Sequence, residues 1–239
     1  MTKTLGTVAP LLALLALSIT ALPGATIFAA GPVTAATGTG LPTSVWSFST
    51  FHGTIAAFDA ARGSSAPTST FLTNTVYYPL STGLGVQDFV GSSGSNFSAG
   101  TPATMALTYF LLTGYIQLDT SGPASIPFRL LSDDGSQLFL GGIQIINNDG
   151  VHTSAAVTGT VEITQSGLYP IVVKYFNNNS QGVLRLTYDP TNSGTFIDIP
   201  TSKLFAEVTP EPSTAWLGGG ALLALAFLSR RQNRTMLKP

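Results

Sequence analysis

In the second half of the chain, apolar residues recur in short bursts separated by clusters of Gly, Asn, Asp and Ser. Leu107 to Leu118 is a long aliphatic and aromatic run, with Gly114 placed as a bulge or bend. Phe128 and Leu130 alternate with Arg129 and Leu131, and segments follow at 137–140, 142–146, 157–164 and 168–176. Within the last of these, Tyr169, Ile171, Val173 and Tyr175 share one face and Lys174 takes the other, which is the period of a half-buried strand. Val183 to Tyr188 makes the final strong segment, stopped by Asp189-Pro190. Seven or more such strands divided by turn clusters predict an all-β fold, an antiparallel β-sandwich or barrel. Helical periodicity is nearly absent from the body, and no internal repeat is visible. Residues 37–103 are rich in Ser, Thr, Gly and Pro, with β-prone pieces such as Thr75 to Tyr78 and a stretch at 91–100 that reads as flexible.

The two ends follow a different pattern. Lys3 precedes an apolar stretch from Val8 to Leu22, and small residues follow at Ala25, Ala29, Ala30, Ala35 and Ala36. That order reads as a helical secretory signal peptide cut near Ala30 or Ala36; an uncleaved N-terminal membrane helix is the alternative. At the other end, Pro210, Glu211, Pro212, Ser213 and Thr214 precede an apolar run, Ala215 to Leu228, and then Arg230, Arg231 and Arg234. The run dwells in a bilayer, the arginines act as a membrane stop, and the polar motif stays outside where an enzyme can reach it. As a helix the run would span about 21 Å against a hydrocarbon core of about 30 Å. Gly218, Gly219 and Gly220 weaken it further. Such a span suits a transient processing substrate better than a plain C-terminal anchor, which is the other reading. Residues 208–234 resemble the PEP-CTERM sorting signal of exopolysaccharide-producing bacteria. The resemblance implies signal peptidase and an exosortase-type processing enzyme as partners, with the membrane engaged during sorting. It also implies export through the inner membrane to the cell surface or extracellular matrix. The chain divides accordingly into a signal peptide and short linker (1–36), a β body (37–207) and a sorting tail (208–239).

Charge changes the picture only once the ends are set aside. The body holds five basic residues (Arg62, Arg129, Lys174, Arg185 and Lys203) against ten acidic ones. No basic patch can be assembled from these, which argues against nucleic-acid binding. The chain has no cysteine, so an exported fold must rely on core packing and any bound ion rather than disulfides.

One constellation stands out from generic strands. The segment 128–140 runs Phe-Arg-Leu-Leu-Ser-Asp-Asp-Gly-Ser-Gln-Leu-Phe-Leu; Gly150-Val151-His152 and Gly167-Leu168-Tyr169-Pro170-Ile171 follow it. This order resembles the protective-antigen-type (PA-fourteen) module, a β-sandwich of bacterial toxins, glycosidases and yeast flocculins, most clearly from Tyr109 to Tyr188. The resemblance implies that Asp133 and Asp134 hold calcium, and that the ion in turn holds vicinal sugar hydroxyls. Calcium takes several oxygen ligands at about 2.3–2.6 Å, and amide oxygens of Asn177, Asn178 and Asn179 are candidates for the remainder. The alternative is that Asp-Asp-Gly is only a hairpin turn, with Gly135 at positive φ and the Asp side chains capping amides. For His152 a positional role at a strand start is expected, after a turn formed by Asn147, Asn148 and Asp149.

Enzyme chemistry finds no support. Asp133 and Asp134 are neighbours rather than a pair facing across a cleft, Glu162 alternates with apolar strand residues, and no Gly-x-Ser-x-Gly occurs. The expected function is a non-catalytic exported module that binds carbohydrate, an exopolysaccharide or cell-surface glycan, through calcium. A structural surface or matrix protein without a specific glycan ligand is the alternative, and a non-catalytic accessory to a polysaccharide-acting enzyme a more distant one.

Overall fold

In the computed structural model the described residues are 25–28, 36–82, 85–179 and 181–208. The signal-peptide run, the sorting motif Pro210 to Thr214, the apolar segment 215–228 and Arg230, Arg231 and Arg234 all lie outside them. Ten strands carry the fold: β1 (Leu41–Ser47), β2 (Ser69–Thr73), β3 (Tyr77–Thr82), β4 (Thr108–Leu118), β5 (Ala124–Asp133), β6 (Ser136–Leu140), β7 (Ile143–Asn148), β8 (Ala155–Ile163), β9 (Gly167–Asn177) and β10 (Gln181–Tyr188). Two helices, α1 (Ile55–Arg62) and α2 (Val86–Val90), interrupt the first half.

The strands form two sheets. One runs β8-β5-β10, with β3 and the short strand Ile197–Asp198 both pairing β10; the other runs β7-β6-β9-β4-β1-β2 and is extended by Gly94–Ser95. Pairing is antiparallel, except that Ala25–Phe28 lies parallel to β8, ahead of the boundary expected at residue 37. Alternation along the strands sends Ile126, Phe128 and Leu130 of β5 and Leu184, Leu186 and Tyr188 of β10 into the interior. There they meet Tyr169, Ile171, Val173 and Tyr175 of β9 and Phe110, Leu112 and Ile116 of β4, all buried. The chain is therefore mostly β, with two antiparallel sheets, as the period of two predicts.

Three expectations for the first half are corrected. The Ser-, Thr-, Gly- and Pro-rich stretch 37–103 holds more than β-prone pieces: β1 and β2 belong to the second sheet, with Val45 paired to Phe110 and Thr43 to Phe71. Residues 55–62 form a helix, capped where Thr54 Oγ1 accepts from the Ala57 amide at 3.2 Å and ended at Gly63, φ 48°. Its face packs Ile55 and Phe58 onto Trp46, Tyr109 and Phe176, a second small core on the outer side of the β4–β9 sheet. Burying Phe58 there contributes about 1.5–3 kcal/mol. Asp59 pins the helix down, accepting from Lys174 Nζ at 2.6 Å, Tyr109 Oη at 2.8 Å and Arg62 Nε at 2.9 Å. Finally, the 91–100 stretch is tied in. Asn74 donates to the Ser93 carbonyl at 2.7 Å, Ser98 to the Thr70 carbonyl at 2.8 Å, and the Phe97 ring stacks on Phe71.

At Gly114, placed from the sequence as a bulge or bend, the structure shows no bulge toward β9. The β4–β9 register runs unbroken through it, and a Cβ there would stand 2.5 Å from the Phe205 carbonyl oxygen. The residue is small so that the returning chain, Leu204–Phe205, can pair with β4. That return ends with Glu207–Val208 paired to Ala36–Thr37, so the body's two ends enter and leave side by side.

The loop after β10 supplies a pH-dependent tie. Asp189 is buried; its Oδ2 accepts from the Gly194 amide at 2.6 Å and its Oδ1 from the Thr191 amide at 3.2 Å. Burial opposes its ionisation, but the amides of Ser193, Gly194 and Thr191 outweigh it and hold the carboxyl below the ordinary range. A depressed carboxylate contributes stability above its unfolded pKa, near 4, that is lost as pH falls through the folded value. Asp189→Asn is expected to lower urea-unfolding stability at pH 7 and to flatten its fall below about pH 4. An acid limb of unchanged steepness would reject this role.

Candidate functional site

Three connections cross between the sheets at one end of the sandwich. Residues 134–135 carry the chain from β5 to β6, residues 149–154 carry it from β7 to β8, and Asn178 and Asn179 open the connection from β9 to β10. The segment Asp133-Asp134-Gly135 is thus a corner between sheets and not a hairpin turn. Nor does Gly135 take a positive φ. Its lack of a side chain serves close approach: a Cβ would lie 2.3 Å from Phe176 Cε1 and 2.9 Å from both N and O of Gly150. The Asp133–Asp134 peptide is cis.

Asp134 is 2% exposed and joins all three crossings. Its Oδ1 accepts from the His152 amide at 3.2 Å and its Oδ2 from the Asn178 amide at 2.9 Å. Asp133 is half-buried at the end of β5. Burial and then the Asp134 charge push its carboxyl above the ordinary range, with His152 and the Ser154 amide acting in the opposite direction. Neither carboxylate is in an ion pair among the described residues. Two adjacent carboxylates, with no cationic side chain paired to them among the described residues, are a donor set of hard oxygens that fits calcium. Among the described residues no cluster of three His, Cys, Asp or Glu completes such a site, so further ligands would be amide or backbone oxygens.

The asparagines expected to help are brought to the pair, in unequal roles. Asn177 is buried: its Nδ2 donates to Tyr175 Oη at 3.1 Å and to the Gln181 carbonyl, and its Oδ1 accepts from the Asn179 amide at 2.7 Å. Its side chain therefore shapes the corner. Asn178 meets Asp134 through its backbone, and Asn179 stands exposed beside it. His152 is positional, since Nδ1 lies 2.8 Å from the Thr153 carbonyl and Nε2 3.0 Å from the Asn148 carbonyl. Asn147 and Asn148 belong to β7 rather than to the turn expected there.

Several supporting residues escaped sequence reasoning. Tyr175 Oη donates to the Asp133 carbonyl at 2.7 Å, a role that its place in a core-facing strand conceals. Asn148 Nδ2 donates to Ser132 Oγ at 2.9 Å, and Ser132 Oγ lies 2.6 Å from Ser136 Oγ, bonding the two sheets under the corner. Asp149 Oδ1 accepts from the Ile55 amide at 2.8 Å, fastening the start of α1 to the 149–154 crossing. Only the Thr54 and Gly63 helix boundary signals hinted at that last element.

Solved structures share this architecture. The PA14 domain of the MpAFP antifreeze protein aligns with TM-score 0.65 at 20% identity, over 73% of this chain and 94% of that one. The PA14 sugar-binding domain from an RTX adhesin aligns with TM-score 0.62 at 17% identity, over 71% and 99%. The Epithelial Adhesin 9 A domain from Candida glabrata, in complex with Galβ1-3GlcNAc, aligns with TM-score 0.53 at 10% identity, over 78% and 99%. None of these three is named for an enzymatic activity. No curated protein matches the chain. Residues 88–201 match the PA14 domain family, and the sheets described above extend that region at its N-terminal side through β1, β2 and α1. The chain thus carries a region, residues 88–201, that matches the PA14 domain family, set in a two-sheet architecture shared with solved PA14 domains.

Proposed function

We propose that this protein is an exported surface or matrix module that binds carbohydrate through calcium held at Asp133 and Asp134. The observation that carries the reading is the pair itself: adjacent carboxylates without a cationic partner among the described residues, at a corner where three crossings converge. Asp134 would hold the ion from its fixed, amide-bonded position and Asp133 from the open side. Asn178 and Asn179 would add amide oxygens, and Asn177 would keep the corner in shape. Bound calcium would supply open coordination positions for vicinal hydroxyls of a sugar. The fold likeness to a sugar-binding adhesin domain supports a glycan ligand and a place at the cell surface. The signal peptide and the Pro210–Thr214 tail support export and processing by an exosortase-type enzyme.

The point at which the described chain leaves the body supports this reading. Thr108 of β4 pairs Asn177 near the Asp corner, whereas Leu204 pairs Ile116, eight residues further along β4. At 3.4 Å per residue the exit lies about 27 Å from the corner. A tethered protein would present the Asp pair away from the membrane.

A calcium titration of the full chain in mild detergent tests the site. At a hundredfold excess over Kd, calcium is expected to raise the melting temperature by roughly 5–10 °C, and Asp133→Ala to abolish the shift. A melting temperature indifferent to calcium, with no glycan retained on an array, would overturn the reading and leave a structural surface role.

A further inference from the structure

A second cleft opens on the outer face of the β8-β5-β10 sheet. It has a volume of about 270 Å³ and is lined by Arg129, Leu131, Ala156, Arg185, Thr187 and Phe196. The register assembles it: Leu131 stands between Ala156 and Arg185, and Arg129 is opposite Thr187. Phe196 arrives from the loop that Asp189 organises, and the Arg129 guanidinium lies 3.9 Å from the centre of its ring.

Charge makes the cleft unusual in this body. Four of the five basic residues of the body are ion-paired: Arg62 and Lys174 with Asp59, Arg185 with Asp198, and Lys203 with Asp119. Among the described residues Arg129 has no carboxylate partner. It nevertheless shares a cleft with a second guanidinium, Arg185, whose Nε and Nη2 reach Asp198 at 2.7 and 3.0 Å. Two guanidiniums and one carboxylate leave a local excess of positive charge, on a domain whose body is otherwise acidic. A guanidinium held over an aromatic ring and free of a carboxylate partner retains the planar N–H fork that grips a carboxylate with two parallel bonds. Leu131, Ala156 and Phe196 add apolar surface for the C–H face of a sugar ring.

We propose that this cleft binds the carboxylate of a uronic-acid residue, so that the glycan recognised is an acidic polysaccharide. This rests on the carbohydrate reading above and narrows it. Asp133 and Arg129 face the same side of β5, four residues apart, which places the cleft about 13 Å from the metal corner. One acidic chain could engage both places, or the cleft alone.

The test compares two oligosaccharides of equal length, β-linked glucose and β-linked glucuronic acid, that differ only in the C6 carboxylate. Each is titrated by calorimetry into the full chain in detergent, with calcium and with chelator. The uronide is expected to bind more tightly. Arg129→Ala is expected to weaken it about tenfold or more, and Arg129→Lys to restore only part, because an ammonium lacks the planar fork. The neutral oligomer is expected to be unmoved by either substitution. Equal binding of both oligomers, or a uronide indifferent to Arg129→Ala, would overturn the acidic-ligand proposal while leaving the calcium reading standing. If neither oligomer binds with calcium present, and the glycan array is also blank, both readings fall.

Discussion

Asp134→Ala is expected to lower stability by roughly 2–5 kcal/mol in urea unfolding, and to remove any response to calcium. The carboxylate is 2% exposed and accepts from two backbone amides, those of His152 and Asn178. Truncation leaves both part-buried donors without their acceptor, at about 1–3 kcal/mol each, and unties three crossings at once. Asp134→Asn separates the two roles. It keeps one carbonyl oxygen for the amides but lacks the charge that a cation needs, so it should lose calcium binding with a smaller stability loss. A loss under about 1 kcal/mol for Asp134→Ala would mean that the corner is held by something else.

Gly135→Ala is expected to destabilise by about 2–3 kcal/mol, near the upper end for an overpacked site. The added methyl would meet Phe176 Cε1 at 2.3 Å and the Gly150 backbone at 2.9 Å. Neither neighbour yields easily. Phe176 is fully buried with its ring 4.9 Å from that of Phe58, and Phe176 N donates to the Gly135 carbonyl at 2.9 Å. Gly142→Ala is the useful comparison, because that residue has positive φ (82°) but open space where its Cβ would stand. It carries backbone strain without a clash, so its cost should be smaller. Equal losses in the two variants would show that the close approach at Gly135 is not what demands glycine there.

Much of the candidate site was legible because its residues are contiguous. Asp133-Asp134-Gly135 and Asn177 to Asn179 stand out as local runs, and they are indeed neighbours in space. What the run of letters concealed was the kind of bend each makes. A hairpin and a sheet-to-sheet corner use the same Asp and Gly residues; only the partner strands distinguish them. β5 bonds β8 and β10, whereas β6 bonds β9 and β7. The first half was less legible because its elements are short. α1 has eight residues, with Ile55 and Phe58 as its buried contacts, too few to raise a helical period above a polar background. β1 and β2 hide among Ser, Thr and Pro, yet Thr43 and Thr73 are buried with their hydroxyls 2.6 Å apart, a pairing that hydropathy cannot register.

The alternation of apolar residues from Leu107 onward determined by itself that this chain is built of strands and which side of each faces inward. The cause is local, since successive side chains of a strand point to opposite faces whatever the partner. Charge counting likewise settled that the body is acidic overall, with ten acidic residues against five basic ones. Only the tertiary structure decided which strands share a sheet and how three distant crossings meet around Asp134. It alone brought Phe196 over Arg129, from a loop across the sheet. Those outcomes depend on contacts between residues far apart in the chain, where the gain comes from burying two faces against each other rather than from any one segment's preference.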